Sequence, residues 1–116
     1  MSVTVRHNVI RNVDGRIKYK ALRSGGKEHY HLGVWIDGDD RELDQIVMVE
    51  YELHPSFKNR VKRSRNRKNG FSVTFWTWGM FNIHIRIHRQ SGQVQKLDHY
   101  LKYNLPPDDG TSYVKV

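Results

Sequence analysis

Phe81-Asn82-Ile83-His84-Ile85-Arg86-Ile87-His88 alternates between an apolar and a polar side chain at every step. Successive side chains of a β-strand point to opposite faces, so this stretch has a dry face of Phe81, Ile83, Ile85 and Ile87 and a wet face between them. The same period of two recurs on either side. Leu97, His99, Leu101, Tyr103 and Leu105 alternate with Lys96, Asp98, Tyr100 and Lys102. Upstream, Phe71, Val73 and Phe75 alternate with Ser72 and Thr74, and Val47, Val49, Tyr51 and Leu53 alternate with Met48, Glu50, Glu52 and His54. Each is read as a strand with one buried face. Leu32 to Ile36 reads as a strand, and Val9 to Val13 pairs with Arg16 to Leu22 as a hairpin across Asp14-Gly15.

Turn chemistry separates these segments. Asp14-Gly15, Gly25-Gly26, Asp37-Gly38, Asn69-Gly70, Ser91-Gly92 and Asp109-Gly110 tolerate the positive φ angles of tight turns. No window sustains a helical period, and β-branched residues make Gln45 to Tyr51 a strand. Seven or eight short strands can bury their apolar faces only against one another. The expected fold is therefore an all-β, antiparallel β-sandwich.

A chain of 116 residues suffices for one core. One domain is expected over 1–116, with its compact unit at about 3–105. Pro106 to Gly110 closes that unit, and Thr111 to Val116 is a last short strand or a fraying tail. Apolar residues make up 37% of the chain and aromatics 11%, which with the alternation argues against disorder. Without cysteine, disulfides, zinc–thiolate sites and thiol catalysis are excluded. An intracellular location fits that absence. The first residues, Met1 to Arg6, hold no apolar run of signal-peptide length, and no stretch is apolar enough to cross a membrane as a helix. A monomeric domain that engages no membrane is expected.

The net charge of +8 is concentrated. Lys58, Arg60, Lys62, Arg63, Arg65, Arg67 and Lys68 fall in one 11-residue run without an acid, and the other 13 basic residues nearly balance the 12 acids. The run is read as a basic loop, either a solvated connection or a surface for an anionic partner.

Two further loops carry aromatics outside the strand alternation: Leu53-His54-Pro55-Ser56-Phe57-Lys58-Asn59 and Thr77-Trp78-Gly79-Met80-Phe81. Phe57 and Trp78 either cap the end of the core or serve binding.

The string Val49-x-Tyr51-x-Leu53-His54-Pro55-Ser56-Phe57-Lys58-Asn59, followed by Phe71-x-Val73 and Trp78-Gly79-x-Phe81-x-Ile83-x-Ile85-x-Ile87, resembles the YEATS domain family over about residues 32 to 88. The resemblance implies an immunoglobulin-like sandwich and binding of acetyl-, crotonyl- or related acyl-lysine without catalysis or cofactor. It implies that Phe57 and Trp78 form two aromatic walls, that the Ser56 hydroxyl meets the acyl amide, that the Trp78 backbone N–H meets the acyl carbonyl and that His54 braces its loop. The family's third aromatic comes from an earlier loop; His29, Tyr30 and His31 are the candidates, and Tyr30 is the one assigned here to the slot. Thr77-Trp78-Gly79 departs from the family's Gly-Trp-Gly, and a side chain at Thr77 is expected to narrow the slot or alter the turn. The longer, basic segment between the loops is similar to that of the divergent prokaryotic members. The partner would then be a non-histone protein in the cytoplasm, and a histone in the nucleus for a eukaryotic chain.

The physical chemistry suits such a ligand. Acylation removes the lysine charge and leaves a planar amide, which an aromatic slot can take without stripping water from an ammonium group. Ring contacts of roughly 0.5–1.5 kcal/mol each and two hydrogen bonds of similar size imply affinities on the order of tens to hundreds of micromolar. A planar crotonyl group should stack better than acetyl in a slot open at its far end.

Other readings are weaker. His84 and His88 would lie about 13 Å apart along a strand, too far for one ion, and His29 and His31 at about 7 Å lack a third ligand. His54-x-Ser56 has no nucleophile-elbow context, so no enzyme is expected. Nucleic-acid or acidic-partner binding through the basic loop is the rival function, although no aromatic lies within the run from Lys58 to Lys68.

Overall fold

The computed structural model describes residues 3–21, 28–107 and 109–116. In chain order the elements are β1 (Thr4–Val9), β2 (Ile17–Ala21), β3 (Glu28–Asp37), α1 (Asp40–Asp44), β4 (Ile46–Glu52), β5 (Val61–Ser64), a 3-10 turn (Arg67–Asn69), β6 (Val73–Thr77), β7 (Phe81–Arg89), β8 (Val94–Leu101) and β9 (Tyr113–Lys115). One sheet is built around β3. Its first edge pairs with β6, and its second with β1 over Leu32 to Asp37 and with β2 over Glu28 to Tyr30. The other sheet runs β5-β4-β7-β8, antiparallel throughout. Together they form an all-β sandwich of the immunoglobulin type, with nine strands among the described residues where seven or eight were expected.

The alternation read from the sequence is the alternation of burial. Phe81, Ile83, Ile85 and Ile87 are at most 9% exposed, and they face Leu32, Val34, Ile36 and Phe75 of the β3 sheet in one apolar cluster. The intervening residues of the β4 sheet form a charged outer face. There Glu50 accepts hydrogen bonds from Arg63 at 2.8 Å, Arg86 at 3.3 Å and His88 at 2.6 Å. These bonds, that from His88 foremost, pull the Glu50 carboxyl down to about 2.

The structure corrects several sequence expectations. The ladder between β4 and β7 shifts register between Ile46 and Met48. Ile46 is therefore buried, while Val47, expected inside, is 41% exposed. The hairpin of Val9 to Val13 with Arg16 to Leu22 reduces to a single bridge between Arg11 and Ile17, because β1 ends at Val9 and pairs with β3 instead. Leu22 and the Gly25-Gly26 turn lie outside the described residues. Asn69-Gly70 is not a hairpin turn. Gly70, at φ +70°, ends the 3-10 turn, and Phe71 follows at φ +57°. Phe71 is held there by burial of its ring and by the Tyr51 hydroxyl, which donates to its carbonyl at 2.6 Å. β6 therefore starts at Val73 rather than Phe71. β8 stops at Leu101, short of Leu105, with Tyr103 still buried beyond it.

The basic run is not a plain loop either. Val61–Ser64 is the edge strand β5, and Arg67–Asn69 is the 3-10 turn. The five-residue helix α1 had no periodicity to announce it. Its Asp39 cap accepts the Glu42 N–H at 2.8 Å. After Gly110, β9 adds in parallel to β2, so the last residues form a strand.

Candidate functional site

The Leu53–Asn59 loop and the Trp78–Met80 turn meet at one end of the sandwich because β4 and β7 are antiparallel. Glu52, the last residue of β4, sits opposite His84 near the start of β7. The turn between β6 and β7 passes from one sheet to the other at that same end.

His54 organises its own loop. Its carbonyl accepts the Phe57 N–H at 3.0 Å, and its Nδ1 accepts the Ser56 N–H at 3.1 Å with Ser56 Oγ at 2.8 Å. A backbone N–H can only donate, so Nδ1 carries the lone pair and the neutral ring holds its proton on Nε2. The Ser56 hydroxyl then donates to Nδ1, which leaves its oxygen lone pairs turned outward as acceptors. The imidazole lies edge-on to Phe81 at 6.1 Å.

Phe57 is half-buried. Its ring packs edge-on against Phe75 at 5.8 Å and tilted against Phe81 at 5.5 Å. Trp78 stands out, 52% exposed, on the opposing turn. Thr77 is buried, and its Oγ1 accepts the Gly79 N–H at 3.3 Å and lies 3.4 Å from the Gly79 carbonyl oxygen. The extra side chain therefore locks the turn from within. The Tyr103 hydroxyl donates to the same Gly79 carbonyl at 3.2 Å. Tyr103 has a place in the site that the sequence presented only as a strand position.

The three candidates for an earlier aromatic separate by face. Tyr30 lies opposite Thr77 in the β3–β6 ladder, on the face that carries Leu32 and Phe75, and its hydroxyl donates to Glu28 at 2.9 Å. His31 is on the outer face, stacked flat on Trp76 at 4.6 Å, with Lys20 Nζ 4.1 Å from the Trp76 ring. His29, also outward by register, is 6% exposed. Tyr30 alone is on the same side of the sheet as Thr77.

A groove of about 410 Å³ runs beside the His54 loop, between Pro55 and Met80, Phe81, Asn82, His84 and Tyr100. Met80 and Tyr100 are 47% and 53% exposed there. Another concavity, of about 330 Å³, lies far from these loops around Glu42, Arg89 and three glutamines. Glu42 and Arg89 form a buried ion pair there that fastens α1 to β7. Among the described residues no three His, Asp or Glu side chains converge on a point that could hold an ion. His84 is paired with Asp98 at 2.7 Å and His88 with Glu50.

The basic run is divided by its partners. Arg63 is paired with Glu50, and Arg67 with Asp40 and Asp44 of α1. Lys58, Arg60, Lys62, Arg65 and Lys68 form no ion pair among the described residues.

Comparison with known proteins fits this fold. A family model of the prokaryotic YEATS domain matches residues 30–102, which include both loops. No curated protein sequence matches the chain. Among solved structures, the Yaf9 YEATS domain bound to H3K27ac superposes with a TM-score of 0.60 at 18% identity, over 90% of this chain and 76% of that one. The Yaf9 YEATS domain recognising an H3K122suc peptide gives 0.58 at 18%, over 87% and 75%. The yeast AF-9 homologue Yaf9 gives 0.57 at 20%, over 72% and 62%.

Proposed function

Because the chain belongs to the prokaryotic YEATS domain family, we propose that it is a non-catalytic reader that binds acyl-lysine in a protein partner between the His54–Phe57 loop and the Thr77–Gly79 turn. Eukaryotic members of the wider YEATS family read acylated histone lysine, and two of the Yaf9 structures described above are named for H3K122suc recognition and for binding H3K27ac. The observation that carries the reading is the His54–Ser56 pair, which presents an outward acceptor beside two aromatic residues at one end of the sandwich.

That geometry supports the following roles. Ser56 Oγ accepts the N–H of the acyl amide. The Phe57 ring, held by Phe75 and Phe81, is the fixed wall, and the Trp78 ring is the wall on the solvent side. Thr77 and Tyr103 keep the Trp78 turn rigid through Gly79, which lowers the ordering cost of binding. An unmodified lysine would have to shed the water around its ammonium group to enter between two rings, a cost that the neutral acyl amide avoids.

The deciding experiment titrates acetyl-, crotonyl- and unmodified-lysine peptides of one sequence into the domain and follows tryptophan fluorescence and amide chemical shifts. Acylated peptides should bind with dissociation constants on the order of 10–500 μM, crotonyl ahead of acetyl. Equal affinity for the unmodified peptide, or shifts confined to residues away from the two loops, would overturn the assignment.

A further inference from the structure

The open edge of β5 combines two features that the acyl-lysine reading does not use. One is the set of cations that form no ion pair among the described residues. Lys58, Arg60, Arg65 and Lys68 are exposed and Lys62 is half-buried, whereas Arg63 and Arg67 are already neutralised by Glu50, Asp40 and Asp44. The next acid along the chain is Asp98, since Leu53 to Leu97 contains no Asp or Glu.

The other feature is the backbone. Among the described residues β5 is the end strand of its sheet and pairs only with β4. The Leu53 N–H donates to the Arg60 carbonyl at 2.6 Å, which makes Leu53 and Arg60 a hydrogen-bonded pair of the antiparallel ladder. Bonded and non-bonded pairs alternate along such a ladder. Lys62 and Ser64 therefore spend their backbone groups on β4, and the N–H and C=O of Val61 and Arg63 point away from the sheet.

We propose that this edge receives an extended acidic polypeptide segment as an added strand. The segment's main chain would pair with Val61 and Arg63, and its carboxylates would meet the unpaired Lys and Arg side chains on either side. The charge that attracts such a partner also repels a second copy of this chain, so the edge discriminates against self-pairing. A polypeptide fits better than a nucleic acid for two reasons. No aromatic ring lies between Phe57 and Phe71 to stack a base. The open backbone groups also need a partner that donates and accepts in alternation, and a phosphodiester chain offers only acceptors.

The test uses fluorescein-labelled ten-residue peptides of alternating Glu and Thr, the Gln/Thr counterpart, a Glu/Thr peptide N-methylated at alternate residues, and a thymidine decamer. Binding is read by anisotropy at low and high salt. The Glu/Thr peptide should bind about tenfold or more tighter than the Gln/Thr peptide, and the N-methylated peptide about fivefold or more weaker than its parent. Lys62→Glu with Arg65→Glu should reduce Glu/Thr binding by about tenfold. Val61→Pro should reduce it by about fivefold with little change in Tm, because that N–H makes no ladder bond and proline is tolerated on an edge strand. Equal binding of the parent and N-methylated peptides would remove the strand-addition model even if Val61→Pro failed to fold. Tighter binding of the thymidine decamer than of any peptide would assign the edge to nucleic acid instead.

Discussion

His54 Nδ1 accepts both the backbone N–H and the hydroxyl of Ser56, at 3.1 and 2.8 Å, so the ring fixes where the serine lone pairs point. The two residues therefore have separable roles. Ser56→Ala should remove the acceptor itself and weaken acyl-lysine peptide binding by about 5- to 10-fold, the value of one neutral hydrogen bond. His54→Ala leaves the hydroxyl in place but free to rotate, and should cost less. Calorimetric titration of both variants with one crotonyl-lysine peptide checks the order. A larger loss for His54→Ala would give the imidazole a direct contact with the ligand.

Phe57 and Trp78, equivalent in the sequence, are unequal in the structure. Phe57 packs on Phe75 and Phe81, so Phe57→Ala should destabilise the fold by about 1–3 kcal/mol in addition to removing a wall. Trp78 is half exposed, so Trp78→Ala should change stability by less than about 1 kcal/mol while abolishing peptide binding. Urea titration of both variants beside the peptide titration separates the two effects. A Trp78→Ala domain that unfolds early would place that ring in the core.

The parts of this fold that were legible share one property: their burial follows a strict period. β7 announced itself because Phe81, Ile83, Ile85 and Ile87 each face the core. β5 did not, because an edge strand of Lys, Arg and Ser buries little and carries no apolar period. The bulge that exchanges Ile46 for Val47 is a backbone event with no residue signature. α1 is shorter than two turns, so no periodicity can build up. At the candidate site, the sequence located both loops. It left open whether each ring caps the core or faces the solvent, because a loop has no alternation to decide it. Phe57 does mostly the first and Trp78 mostly the second. The hydrogen bond of Tyr103 to Gly79 links residues 24 apart and was invisible to any local pattern.

Among the described residues, Gly70 is the one glycine whose replacement meets the backbone of another strand. At φ +70° its conformation disfavours any side chain, and an added Cβ would lie 3.0 Å from the Ile36 carbonyl oxygen. The Gly70 carbonyl also accepts the Ile36 N–H at 2.8 Å, so the segment cannot withdraw without losing that bond. Gly70→Ala should cost about 1–3 kcal/mol and lower Tm by several degrees. Gly92→Ala, with a similar φ of +88° and open space at Cβ, is the control that isolates the contact from the dihedral.

Glu50 should govern acid stability. Its carboxyl titrates at about 2 in the fold against 4.5 in the open chain, so the unfolded state binds the proton more readily. The stabilisation is complete above pH 4.5 and is lost as pH falls toward 2. Glu50→Gln should flatten the stability profile across that window, and at pH 7 it should cost about 1–3 kcal/mol as Arg63, Arg86 and His88 lose their shared carboxylate and meet an NH₂ in place of one acceptor oxygen. Denaturant midpoints measured from pH 7 to pH 2.5 check both statements.

A second, higher step should come from the seam between the sheets. His7 Nδ1 lies 2.7 Å from His99 Nε2, and His7 Nε2 lies 2.7 Å from the Lys102 carbonyl oxygen, to which it donates. That donation makes His7 Nδ1 the acceptor, so His99 must supply the proton between the rings. Burial, and then the neighbouring His7, push the His99 imidazole below its ordinary 6.5. A depressed imidazole means that the folded state binds the proton less readily than the unfolded chain. The seam's contribution is therefore full above pH 6.5 and declines as pH falls below it. His31, lowered by burial and then by Lys18 and Lys20, adds to the decline in the same direction. His99→Gln should remove part of the slope just below pH 6.5 and leave the Glu50 step intact, and His31→Gln should remove a further part. A His99→Gln profile that overlays the parent between pH 6.5 and 5 would show that the His99 ring takes up its proton in the fold as readily as in the open chain.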